Sequence, residues 1–284
     1  MVFKHILIAV PTMGGLIKAK TTTTLVLLMR QLTRAGVAAE YLNIDSSDIV
    51  YARNYYAAAV LKSEVLDGLL FVDSDMQFRP LLVMKMLRLE ADVVAAAYPK
   101  RSLNLDQLAR ALIKADSHSP AATVKALANV YQYTVVPSWE SPRGVKLSLK
   151  AGFAKMAAAG MGCTLISRAA LQAMIDGGAV DRRKDIINGK EELSWGFFDN
   201  LKVGDITLSE DFSFCYRWTR TLGRDLWVNV DEEITHLGDF GHRARYIDRL
   251  AIVATPAAAD LPEPSAPEST AIDLDAELIV DAES

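Results

Sequence analysis

The sequence has little of what would commit it to several large protein classes. Only two cysteines occur in 284 residues, Cys163 and Cys215, far apart and each in apolar surroundings. That is too few for a disulfide framework, and buried free thiols behave as small hydrophobes, so both read as reduced core residues. No apolar run approaches the ~20 residues a helix needs to span a bilayer. The N-terminal HILIAV is too short for a secretory signal and no cleavage site follows it. A cytoplasmic protein without a transmembrane segment is expected. Positive charge is not in excess either. Lys and Arg total 31 against 35 Asp and Glu, a net charge of −4. Nucleic acid and anionic membranes are therefore disfavoured as partners. Where a dinucleotide-binding dehydrogenase would carry G-x-G-x-x-G after its first strand, this chain has PTMGG.

What is present suits a large globular unit. Hydrophobic residues make up 51% of the chain, ample for a sizeable core. From Thr255 onward the composition changes to Pro, Ala and acid with no Lys or Arg. Such a stretch buries too little apolar surface to offset its ordering entropy and reads as a disordered acidic tail over 255–284.

In the first hundred residues, short apolar runs alternate with helical periodicity. HILIAVPT, VAAEYLNI, GLLFVDSD and ADVVAAAYPK read as strands. LVLLMRQLTRAG, the segment from Ser47 through YARNYY, and LLVMKMLRLE read as the helices between them. That rhythm predicts βαβ units around a mostly parallel sheet. Ligands bind such sheets beyond the carboxyl ends of the strands, where Thr12, Asp45, Asp73, Asp75 and Tyr98-Pro99-Lys100 fall. The second half is less regular. Two short helices are expected over 102–130, then strands from YQYTVVPS, GVKLSLK and GFAKMAAAG, and a helix AALQAMIDGG after GMGCTLISR. A polar segment with aromatics leads into the helix DFSFCYRWTRTLG, and DLWVNV and EEITHLG are the last strands.

The most informative stretch is LLFVDSDMQFRP, Leu69 to Pro80. An apolar strand ends on two carboxylates one residue apart, which the period of two aims the same way. Unless a cation lies between them, one would take up a proton. A hard divalent ion, Mg²⁺ or Mn²⁺, resolves the repulsion and leaves coordination positions open for phosphate oxygens. The plain alternative is that the aspartates cap the following turn.

This stretch resembles the DxD motif of GT-A glycosyltransferases, which use nucleotide-diphosphate sugars. The similarity runs over roughly 4–240 and includes VPTMGG, DIVYARN, the DxD itself, YPK, GMGC, SED and a late THLG. It implies a GT-A fold: a Rossmann-like nucleotide-sugar half over 1–101 fused to a smaller acceptor-binding, catalytic half over 102–254. The implied donor is a UDP- or GDP-sugar. The acceptor would be a glycan, a lipid-linked sugar or a small molecule, and a homo-oligomer stays open.

Carried over motif by motif, the resemblance implies that Asp75 binds the metal, while Asp73 touches the ribose and helps hold the ion. His236 of THLG completes the metal shell, or else is a hydrogen-bonded histidine at a strand end. Asp211 of SED matches the general base of inverting members, with Glu210 the adjacent alternative; simple helix capping is the competing role. Thr12, Asp45, Ser74 and Gly162 are expected near the nucleotide or sugar. Arg53 would pair with Asp73 or the diphosphate. Lys100, Arg101, His242 and Arg243 would neutralise leaving-group charge, though the HRAR stretch is also an ordinary solvated basic run. Trp195 and Phe197 would stack on a sugar or anchor their loop.

Rival readings are weaker. A dehalogenase-type phosphatase also carries DxD, but on its first strand and with Thr or Val where Gln77 stands here. A sugar nucleotidyltransferase would need a Gly-rich basic N-terminal loop. A catalytically inactive nucleotide-sugar-binding protein would keep the fold without turnover.

Overall fold

The computed structural model describes residues 3–103, 131–140, 147–187, 190–238 and 241–249, together with positions 106, 108 and 110. The segment 255–284 and nearly all of the two helices expected over 102–130 lie outside the described residues. Chain contacts group Met1–Leu250 as one compact unit.

The first strands and helices follow the expected order: β1 (His5–Thr12), α1 (Ala19–Arg34), β2 (Ala38–Asp45), α2 (Ile49–Lys62), β3 (Gly68–Val72), β4 (Met76–Phe78), α3 (Leu81–Leu89), β5 (Val93–Ala96) and β6 (Pro99–Leu103). Then come β7 (Tyr131–Tyr133), β8 (Val135–Val136), β9 (Leu149–Lys150), β10 (Phe153–Met156), β11 (Ala158–Ala159), β12 (Cys163–Ser167) and α4 (Arg168–Asp176). Hairpins β13 (Arg182–Ile187) with β14 (Lys190–Trp195), and β15 (Lys202–Val203) with β16 (Ile206–Thr207), precede α5 (Glu210–Cys215). A π-helical turn, Tyr216–Thr221, continues α5 before β17 (Leu226–Asn229), β18 (Ile234–Leu237) and β19 (Gly241–Ala244).

Eight strands form one sheet in the order β2-β1-β3-β12-β5-β17-β10-β9. The pairs β1/β2, β1/β3 and β5/β17 are parallel. The pairs β3/β12, β12/β5, β17/β10 and β10/β9 are antiparallel. The fold is thus mixed α/β, and the expected mostly parallel sheet is corrected by β12. That strand returns from the second half and inserts antiparallel between β3 and β5, so both halves of the chain share one sheet.

Alternation along the strands builds a core on each face. Ile6, Ile8, Val10, Leu70, Val72, Val94 and Leu165 pack against Leu25, Leu28 and Leu32 of α1 and Leu82, Val83 and Met86 of α3. Leu7, Ala9, Leu69, Phe71, Val93 and Ile166 pack against Tyr56 and Val60 of α2, Leu171 and Met174 of α4, and Phe214 of α5. Burial on both faces explains why β3 is apolar throughout rather than alternating. β12 is equally buried, and its two hydroxyls are bonded, Thr164 Oγ1 to Gly160 O at 3.2 Å and Ser167 Oγ to Asp92 Oδ1 at 2.7 Å. Among the described residues no helix is long and apolar enough to cross a membrane. Both cysteines are buried and free, and burial pushes their thiols up.

Candidate functional site

The parallel strands β1 and β3 deliver their loops to one edge of the sheet. The Lys18 N–H donates to the Ser74 carbonyl at 2.9 Å, which ties the Pro/Gly loop after β1 to the Asp-Ser-Asp turn after β3. The Asp73 N–H donates to Gly162 O at 2.9 Å, and the Leu237 N–H donates to Asp75 O at 2.8 Å. β12 therefore fixes the start of the acidic turn and β18 fixes its end.

The two aspartates have different neighbours. Asp73 Oδ1 accepts from Arg53 Nη2 at 3.2 Å. Arg53 is only 4% exposed, lies over the Phe71 ring at 5.0 Å, and reaches Glu210 Oε1 with Nε at 3.6 Å. Burial opposes its charge, but Asp73, Glu210 and Asp211 outweigh that cost and hold its pKa above the ordinary value. Glu210 is itself pushed up, first by burial and then by Asp211, with Arg53 pulling the other way.

Asp75 Oδ2 meets two cationic or donor groups. His236 Nε2 lies 3.3 Å away, and Arg101 Nη1 lies 3.2 Å from the same oxygen. His236 Nδ1 is 3.0 Å from the Pro99 carbonyl. A carbonyl only accepts, so Nδ1 carries the proton, and in the neutral ring Nε2 presents its lone pair toward Asp75. The imidazole is further oriented edge-on against Tyr98, at 5.5 Å between centroids. Tyr98 is buried, which raises its pKa, with Asp73 and Asp211 adding to the effect. Its hydroxyl accepts from Gly162 N–H at 3.0 Å.

Asp211 sits beside Glu210 at the start of α5. Its Oδ1 accepts from Phe212 N–H at 2.8 Å and from the Ser209 hydroxyl. Asp211 thus makes local capping bonds while also contributing to the field on Arg53 and Tyr98.

Several expected ligand contacts are framework contacts instead. Thr12 is 4% exposed, and its Oγ1 contacts Ile44 O at 3.3 Å and Asn43 Nδ2 at 3.1 Å, joining β1 to β2. Gly162 is required by packing: a Cβ there would lie 2.6 Å from Met76 Cε and 2.8 Å from Tyr98 Cζ. Phe197 is fully buried, so it belongs to the core and not to a sugar-stacking surface. Arg243 faces away from His242, as adjacent strand residues must, and lies 3.6 Å from Glu233. Lys100 is exposed, and Arg101 rather than Lys100 reaches the acids.

Asp45 and His242 differ in exposure, His242 being only 4% exposed. Asp45 is exposed at the end of β2, and a Cβ on Gly15 would lie 4.0 Å from its Oδ2. His242 is opposite His236 in the β18/β19 register and edge-on to Tyr131 at 5.8 Å. Burial lowers its pKa, with His236 and Arg101 adding to the shift. Asn54, beside Arg53 in DIVYARN, has a framework role that the sequence does not show. It accepts from Phe198 N–H at 2.9 Å and donates to Asp199 Oδ1 at 2.8 Å, linking α2 to the loop after β14.

Among the described residues, no group of three or more His, Cys, Asp or Glu is placed to hold a metal ion. Of the three expected ligands, Asp75 and His236 converge, whereas Asp73 is drawn to Arg53. The converging pair still fits a cation in its chemistry, because a hard oxygen and an imidazole nitrogen both suit Mn²⁺.

No family model and no curated protein matches the chain. Among solved structures, it is similar to the crystal structure of A197 from STIV, with 14% identity and a TM-score of 0.44, over 83% of this chain and 86% of that one.

Proposed function

We propose that the protein is a metal-dependent glycosyltransferase of the GT-A type. It would move a sugar from a UDP- or GDP-linked donor to a hydroxyl on a glycan, a lipid-linked sugar or a small molecule. The observation that carries this reading is the approach of Asp75 Oδ2 and His236 Nε2 to 3.3 Å at the ligand-binding edge of the sheet. Two electron-rich atoms so close, one on an imidazole locked through Nδ1 to Pro99, are suited to a divalent cation.

Asp75 and His236 would hold Mn²⁺ or Mg²⁺, with donor phosphates supplying further oxygens. When bound, the ion supplies Lewis acidity to the diphosphate leaving group. Asp73, held by Arg53 at the same mouth, would accept from the ribose hydroxyls. Asp211 would take the proton of the acceptor hydroxyl, its Oδ1 steadied by Phe212 N–H and Ser209. Glu210, held toward Arg53, is the second acid of the pair and orients the acceptor.

Thermal-shift measurements with UDP and GDP, with and without Mn²⁺, test the site. Stabilisation is expected only when nucleotide and Mn²⁺ are both present. Asp75→Ala should lose that stabilisation along with transfer. Asp211→Asn should lose transfer and keep the stabilisation. An undiminished shift in Asp75→Ala would remove the basis of the assignment.

A further inference from the structure

Arg101 and His236 converge on one oxygen, Asp75 Oδ2, at 3.2 and 3.3 Å. His236 is 15% exposed and its ring is fixed by Pro99, whereas Arg101 is 53% exposed. Both arrangements come from β6, which supplies the Pro99 carbonyl and, two residues later, the Arg101 guanidinium. One partner of Asp75 is thus built in, and the other is a long, half-solvated side chain free to leave.

We propose that Arg101 is an exchangeable stand-in for the divalent cation. In the absence of the ion its guanidinium neutralises Asp75 beside His236. When the ion arrives, the charge on Asp75 is satisfied by the metal, like charges repel, and Arg101 swings out. A guanidinium released at this mouth is placed to take an anionic oxygen of the incoming nucleotide diphosphate, for which its fork geometry is suited. Arg101 therefore opposes binding of the bare ion and favours binding of the ion together with the diphosphate. This inference rests on the cation-site reading above and adds an order to it: metal and nucleotide help one another because they share the release of one side chain.

The test is Mn²⁺ binding to the full-length protein, followed by electron paramagnetic resonance of free Mn²⁺, for wild type and Arg101→Met, with and without UDP or GDP. Without nucleotide, Arg101→Met should bind Mn²⁺ about fivefold more tightly, roughly the upper value of a half-exposed ion pair. With nucleotide, the order should reverse, and the variant should bind the nucleotide with Mn²⁺ more weakly than wild type. Arg101→Lys keeps the charge without the fork and should stay near wild type for Mn²⁺ alone. Equal Mn²⁺ affinity in wild type and Arg101→Met would overturn the stand-in role while leaving the metal site in place. If neither protein binds Mn²⁺ under any condition, the metal site and the stand-in role fall together.

Discussion

Asp73 and Asp75 are one residue apart in the chain but differ in how their charge is balanced. Asp73 is paired with Arg53, 4% exposed, which lies over Phe71 and also faces Glu210. Asp75 is paired with Arg101, 53% exposed, and with an imidazole held by a backbone carbonyl. A guanidinium buried among carboxylates cannot leave without exposing uncompensated charge to a low-dielectric interior. A half-exposed one is replaced by water at little cost. The same turn therefore carries one acid whose partner belongs to the framework and one whose partner can be exchanged, and the exchangeable side is where an incoming cation would enter.

The strongest way to break that contrast is to remove Arg53. Arg53→Met removes the guanidinium that lies over Phe71 and leaves Asp73 and Glu210 without their shared cation. The acids left behind are 27% and 19% exposed, so the cost falls below that of a fully buried broken pair, to about 2 kcal/mol. Urea unfolding should show a loss of that size. A loss under ~1 kcal/mol would mean that Arg53 is as dispensable as a surface residue and that the two aspartates do not differ as described.

Much of this arrangement was legible in the sequence. The apolar runs of β1, β3 and β5, the helices between them and the acidic turn after β3 follow from local periodicity and strand-end position. Arg53, Asp73, Asp75, Glu210, Asp211 and His236 do come to one edge of the sheet. What was not legible depends on chain return. Nothing local in CTLIS says that it runs antiparallel between β3 and β5, because a strand buried on both faces reads the same whichever way it runs. The partners of Asn54 were hidden for the same reason, since they lie on the loop after β14. Lys100 and Arg243 lie away from this cluster. Each neighbours a residue that reaches the acids or the histidines. For Arg243 strand parity sends the side chain to the other side, which follows only once the boundaries of β19 are fixed.

A smaller and pH-dependent effect sharpens the comparison on the Glu210 side. Burial and Asp211 raise the Glu210 pKa above its ordinary 4.5. A carboxyl raised on folding is proton-rich in the native state, so between its unfolded and folded pKa values stability falls as pH rises. Its contribution is fully present below 4.5 and is lost as pH climbs through the raised value. Glu210→Gln stays neutral throughout. Its stability relative to wild type should therefore increase as the pH is taken upward from 4.5, measured by denaturant midpoints across the acid range. A difference independent of pH would show that Arg53 compensates the Glu210 charge completely, leaving no strain between the acids.

The smallest effect is the one that separates exchangeable from merely exposed cations. Arg101 and Arg243 are both more than half exposed, at 53% and 66%, and each faces a single acid, Asp75 and Glu233 respectively. For such pairs, loss of the cation changes stability by no more than ~1 kcal/mol. Arg101→Met and Arg243→Met should therefore have unfolding midpoints close to wild type and to each other, above that of Arg53→Met. They differ in what stands behind the acid. Asp75 has the fixed His236 nitrogen 3.3 Å away, whereas Glu233 is 51% exposed at the surface. Only Arg101→Met should alter Mn²⁺ affinity, and Arg243→Met should leave it unchanged. A comparable change in both would trace the effect to general surface charge and not to the one oxygen that Arg101 shares with His236.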